Sequence, residues 1–283
     1  MLSNWRFWFI IPTVLALGIV VVFPTGYLLW MSVAHWIITE PGIYFNGTEN
    51  YRTILASTEF GSSLWVTALY LILSTVLMVV LALSFALALA APGSSGLLRA
   101  IIVMPLVIPP VVVGFTWRFL LNGEMGFIGA YLLPKVGINV SLLADPTGAL
   151  FSIVIADVWS RTPFMFLIFL AALQSIPRDF YEAIRLDGAR RSQEFLLVTL
   201  PMLKGAITAA VLFRVIDALN AFELIYVMTK GGPGRATQTL SVLGWKTAFQ
   251  NFDFGAAAAL GVVMVIITTI CANIIFRRFM KGA

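Results

Sequence analysis

The chain has 283 residues, 60% hydrophobic and only 11% charged, against roughly 25% charged in soluble domains. That balance excludes an ordinary soluble domain, and the formal charge of +5 is scattered between apolar runs, where it signals membrane topology and not a nucleic-acid surface. A single cysteine (Cys271) and a single histidine (His35) exclude a disulfide framework, a Cys/His metal cluster and most histidine-based catalysis.

A bilayer crossing takes about 20 mostly apolar residues, and it must be helical because lipid offers no partners for backbone N–H and C=O groups. Six runs meet that length, at about 7–31, 64–91, 99–121, 148–173, 204–228 and 255–277. The first is too long for a signal peptide and lacks a small-residue cleavage site, so it is expected to remain as a span. Trp5, Trp8, Trp30 and Trp36 flank it as expected interfacial anchors. Pro12, Pro24, Pro105, Pro109, Pro110 and Pro163 fall in or near spans and predict kinks. The connecting segments 32–63, 122–147 and 229–254 are rich in Gly, Asn, Thr and Pro and read as short ordered caps. Gly231-Gly232-Pro233-Gly234 is a turn, and the Gly and Ala of 255–261 allow close helix packing.

Lys and Arg set the orientation. With both ends inside, Arg6, Arg99, Arg178, Arg185, Arg190, Arg191, Lys204, Arg277, Arg278 and Lys281 lie on the inner side. Arg52, Arg118, Lys135, Lys230, Arg235 and Lys246 lie outside, and ten against six favours this arrangement. The loop 174–203 then faces the cytoplasm.

That loop is a charged island between two spans, a polar surface suited to a soluble partner. Pro177 fits the first turn of a helix, Asp179 and Glu182 favour its positive end, and Gly188 is a stop signal. Phe180 with Ile184, and Tyr181 with Arg185, are four apart and share a face. A short amphipathic helix, a turn at Gly188 and a second helix through Phe195, Leu196 and Val198 to Pro201 follow. An ordinary interfacial loop with its charges at the headgroups would carry the same composition.

Ionisable residues also lie inside the spans, where they are costly. Asp157 and Arg161 are spaced i, i+4, and Arg214 and Asp217 i, i+3, with Asn220 and Glu223 further along. Two readings compete: salt bridges that neutralise one another and pin helix packing, or a polar cavity near the midplane.

The island resembles the EAA motif of the membrane subunits of binding-protein-dependent ABC importers: Glu-Ala-Ala, three residues, Gly, nine residues, Ile-x-Leu-Pro. Here stand Glu182-Ala183-Ile184, Gly188 and Val198-Thr199-Leu200-Pro201, at matching spacing, with Ile184 and Val198 as apolar departures. Ala156-Asp157-Val158-Trp159, Pro163-Phe164, Ala171-Ala172-Leu173-Gln174-Ser175-Ile176-Pro177 and Gly231-Gly232-Pro233 resemble the carbohydrate, maltose-type branch. The resemblance covers about residues 60–277.

It implies an all-α polytopic fold: six transmembrane helices of the type I importer permease, with a cytoplasmic coupling helix. Residues 1–63 would form the first helix and outer loop, 64–277 the transmembrane domain and 278–283 a cytoplasmic tail. Tyr181, Glu182, Ala183, Asp187, Gly188 and Ala189 would contact an ATPase subunit. Asp157, Ser160, Arg161 and Phe164 on the fourth span, with Arg214, Asp217, Ala218 and Ala221 on the fifth, would face the sugar. Ala218 and Ala221 do not reproduce the polar maltose pattern. Two arginines in one cavity raise an anionic sugar as the solute, although Asp157 and Asp217 can cancel both charges.

The implied partners are a second homologous permease subunit, two ATP-binding subunits that hold ATP and Mg, and an extracytoplasmic solute-binding protein, in a bacterial or archaeal cytoplasmic membrane. The chain has no G-x-x-x-x-G-K-[ST], so the ATP chemistry belongs to partner chains and this subunit is not an enzyme. The rival reading is an ion-gradient-driven secondary transporter that uses Asp157, Asp217 or Glu223. It leaves the island without a purpose. An intramembrane enzyme finds no nucleophile–base arrangement.

Overall fold

The computed structural model describes residues 4–91, 93, 95–137 and 141–280. The side chains of Trp5 and Arg6, and Lys281 in the tail, lie outside the described residues. Among those residues the only sheet is a pair of two-residue strands. Five helices are long and apolar enough to cross a bilayer, and a sixth crossing results if one bent helix pair is counted as a span.

One compact unit joins the chain up to Ser62 with Leu243–Ile267. Its first helical run, Asn4–Leu17 and Phe23–Ser32, passes through a π-helical turn at Gly18–Val22. Pro24 sits just beyond that turn, a usual place for a helix to absorb a missing N–H. Ala34–His35 then pairs antiparallel with Tyr44–Phe45, and the helix Glu49–Ala56 follows. Buried Asn50 donates to the carbonyls of Ser32 and Ala34 at 3.0 and 2.8 Å, which fixes this helix to the end of the first span. In the helix Phe254–Met280, Ala256, Ala258 and Ala259 are buried and Gly261 lies against Leu28, the close packing that small residues permit.

The second unit, Ser63–Val242 with Thr268–Ala283, holds the candidate site. Its most buried helix is Pro146–Gln174. Asp145 caps that helix by accepting from the Gly148 N–H at 2.6 Å. Around it pack the long helix Thr58–Leu89 and the helix Leu200–Leu219, with Tyr70, Met78, Met165, Phe166, Phe169 and Leu203 fully or almost fully buried.

Three sequence expectations change here. The run 99–121 is broken more sharply than a kink: Gly96–Val107 and Pro110–Leu120 meet at 100°. Ile108 precedes Pro109 and is driven out of helical geometry, to ψ 123, and two successive prolines then supply no N–H to bridge the break. The fifth span does not begin at 204, because the second island helix runs unbroken from Arg191 to Leu219. A π-helical turn at Phe195–Thr199 precedes Pro201 and makes room for its ring. That helix ends at Leu219, and a separate short helix, Glu223–Thr229, completes the stretch. The outer segment 229–254 is more than a cap: it carries the helix Leu240–Phe249, whose Leu240, Val242 and Leu243 are buried.

Candidate functional site

Four of the intramembrane charges, Asp157, Arg161, Arg214 and Asp217, form one connected network. Arg214, on Leu200–Leu219, lies 2.5 Å from the Asp157 carboxylate on Pro146–Gln174, with side chains only 2% and 4% exposed. The same guanidinium donates to the Ser74 hydroxyl of Thr58–Leu89 at 2.7 Å and to Asp217 Oδ2 at 3.0 Å. The ring of Tyr70 stands 5.6 Å from the guanidinium carbon, within cation–π range. One arginine thereby ties three helices together at membrane depth. An unpaired charge at that depth would be costly.

Asp217 extends the network outward. Its Oδ1 lies 3.2 Å from Arg161 Nη1, and these two side chains are 39% and 36% exposed. The spacing i, i+4 put Asp157 and Arg161 on one helix face, but no ion pair forms between them. Asp157 turns inward to Arg214, and Arg161 pairs with Asp217 across the helices. Two arginines and two carboxylates alternate, and their formal charges sum to zero.

A cavity of about 260 Å³ opens beside the outer half of this network, lined by Arg161, Phe164, Phe213, Arg214 and Asp217 with Met78. Its volume is near the lower end of ligand pockets, about 300–1,000 Å³. Phe164 and Phe213 meet edge to face at 6.2 Å and give one apolar wall. Four of the eight sequence-expected substrate residues line it. The other four do not. Asp157 lies behind Arg214, and the Ser160 hydroxyl donates to the Asp157 backbone carbonyl at 3.0 Å. Ala218 is in the core, and the Ala221 carbonyl accepts from Ser241. Glu223 is exposed in the first turn of its short helix and does not line the cavity.

The polar island has the opposite character. Its first helix, Arg178–Leu186, follows Pro177, and Gly188 ends it at φ +78, a left-handed backbone that glycine adopts without strain. Tyr181 shares a 3.0 Å hydrogen bond with Thr199, and Arg185 grips Glu194 through two hydrogen bonds of 2.9 Å. The hydrogen bonds to Glu194 hold the Arg185 guanidinium above its ordinary pKa. The inward face is Tyr181 with Ile184, not Phe180 with Ile184, because the Tyr181 hydroxyl finds its partner on the second helix. Phe180 stays 51% exposed and Leu186 89%, beside exposed Glu182, Ala183, Asp187 and Gly188 and half-buried Ala189.

Residues 93–282 match the family model of the binding-protein-dependent transport system inner membrane component. The chain belongs to this family. It is 37% identical to the trehalose/maltose transport system permease protein MalF of Thermococcus litoralis, over 91% of this chain and 88% of that one. It is 30% identical to the sulfoquinovosyl glycerol transport system permease protein SmoG of Agrobacterium fabrum, over 95% and 88%. Among solved structures it is similar to a bacterial ABC transporter involved in the import of alginate, with a TM-score of 0.82 at 21% identity and coverage of 98% and 96%.

The chain is thus a multi-pass membrane component of a transport family, with the type I importer permease fold. Sequence reasoning missed Ser74, Tyr70 and Phe213 in this permease. Tyr70 and Ser74 are spaced i, i+4 within an apolar run, so they share a helix face, and that spacing was the available signal. Nothing in the sequence indicated that the face would meet Arg214.

Proposed function

We propose that this chain is one permease subunit of an ATP-driven importer for a sugar, polyol or glycoside. The observation that carries the reading is the island helix. It is anchored on one face by Tyr181 and Ile184 and leaves Phe180, Leu186, Glu182 and Asp187 outward, with no partner surface among the described residues. An exposed apolar and acidic face on a rigid short helix is a docking surface for a soluble subunit. Glu182, Ala183, Asp187, Gly188 and Ala189 would meet an ATPase subunit, and Tyr181 would hold the helix to Thr199. ATP and Mg would bind on that partner.

The cavity at Arg161, Phe164 and Asp217 would be this subunit's wall of the solute path, completed by a second homologous permease. Arg214 and Asp157 would brace it. The names of the trehalose/maltose and sulfoquinovosyl glycerol relatives support a sugar or glycoside. Both chain ends would lie in the cytoplasm, with an extracytoplasmic solute-binding protein on the other side. Closure of the ATPase pair would move the island helices together and bias the spans between inward-open and outward-open states, a two-state element driven by a ligand bound elsewhere.

The test is a mild-detergent pull-down of this chain from its own membranes, followed by mass spectrometry. We expect a P-loop ATPase, a second permease and a binding protein, with the ATPase lost when Glu182→Lys and Gly188→Val are combined. A chain that comes alone even after crosslinking, with uptake that persists without ATP hydrolysis and collapses with an uncoupler, would overturn the importer reading.

A further inference from the structure

We propose that Asp217 sets the charge selectivity of the cavity, cancelling the positive charge that would otherwise admit an anion, so that the site takes an uncharged polyhydroxy molecule. The inference rests on the reading of the cavity as the solute site. The two named permease relatives carry different solutes, so family membership leaves the charge of this solute open.

The argument is one of charge and access. Arg214 is committed: its two Nη groups serve Asp157, Ser74 and Asp217, its Nε is sealed from solvent, and the side chain is almost wholly buried. An incoming anion would have to break that pairing and leave Asp157 as a buried unpaired charge. Arg161 is the accessible cation. Its one ion pair among the described residues is the contact with Asp217, and it faces the cavity. Alone, Arg161 would be a ready oxyanion site, since a guanidinium offers a planar fork of donors. Asp217 prevents this. One of its oxygens lies against each arginine, so it neutralises Arg161 while Arg214 keeps it in place.

With Asp157 paired behind, the wall has no net charge. An anion would bring an uncompensated charge to membrane depth and approach the Asp217 carboxylate. A neutral molecule meets neither cost. Adjacent hydroxyls can accept from Arg161 and donate to Asp217 without either group losing its counter-charge, and the exposed ring of Phe164 offers an apolar surface one turn away. Arg161 and Asp217 would therefore contact the ligand, with Arg214 as a positioning residue.

The experiment uses the complete importer complex in nanodiscs without its binding protein, which keeps that protein's own selectivity out of the measurement. Inorganic sulfate, glucuronate, glucose and trehalose are titrated against wild type, Asp217→Asn, Asp217→Glu and Asp217→Asn combined with Arg161→Gln. Binding is read by isothermal titration and thermal shift. Wild type should show no sulfate binding, and should bind at least one of the neutral sugars more tightly than glucuronate. Asp217→Asn should gain at least about tenfold in affinity for sulfate and glucuronate, the scale of one charge-assisted contact. Asp217→Glu keeps the negative charge and should show no gain for sulfate or glucuronate, and adding Arg161→Gln to Asp217→Asn should abolish the gain.

Sulfate binding to wild type, measurable glucuronate binding to wild type at least as tight as that of both neutral sugars, or an Asp217→Asn protein with no gain would overturn the proposal. Arrival of the gain without any neutral sugar binding to wild type would instead sustain the charge selectivity of Asp217 and count against the sugar reading.

Discussion

The membrane-depth network and the polar island both gather charge in this apolar chain, and they use it in opposite ways. In the network each arginine faces a carboxylate within 3.2 Å, and the innermost pair is sealed from solvent. In the island only Arg185 and Glu194 form a pair, and Glu182 and Asp187 stand exposed beside Leu186. The difference follows from the surroundings. Hydrocarbon provides no counter-charge, so a buried charge must carry its partner with it. Water solvates the island, so its charges need no internal partner and stay available for another protein.

The contrast breaks first at Arg214. Arg214→Met leaves Asp157 buried and unpaired, and about 3–5 kcal/mol of stability should be lost, measured as a lowered midpoint of thermal unfolding in detergent. Combining it with Asp157→Leu removes the orphaned charge, so the double variant should recover most of the loss. A double variant no more stable than Arg214→Met would show that the pair is not the source of the effect.

Within the island the expected effects shrink in order. Gly188→Ala places a side chain at φ +78 and should cost about 1–2 kcal/mol locally, read as faster amide exchange of the 181–191 segment. Tyr181→Phe deletes the hydrogen bond to Thr199 and should cost about 1 kcal/mol. Here too amide exchange of the island helix is the measurement, with the global midpoint nearly unchanged. Arg185→Gln removes the fork on Glu194, but an exposed pair contributes little to folding. Its thermal midpoint should match wild type, and a large drop would show that the island resembles the network after all.

Much of this was legible in the sequence. Run lengths placed helices at all six expected regions, and the spacing of Pro177, Gly188 and Pro201 gave the helix–turn–helix of the island, because these depend on local backbone preference and on the thickness of a bilayer. The same prolines were read too gently at 105–110. A kink was expected where the chain turns through 100°, since the consequence of Ile108-Pro109-Pro110 depends on what the freed segment packs against.

Sequence by itself determined that the chain crosses a membrane, places ionisable residues inside its spans and gathers others on a short helix between spans. Only the tertiary structure decided which charges meet. Spacing along a helix fixes who shares a face, so Asp157 and Arg161 were expected together. Arg214 lies 57 positions beyond Asp157 and 140 beyond Ser74, yet takes both, together with half of Asp217. Pairings between distant segments follow from how helices pack, and a linear pattern holds no record of that packing.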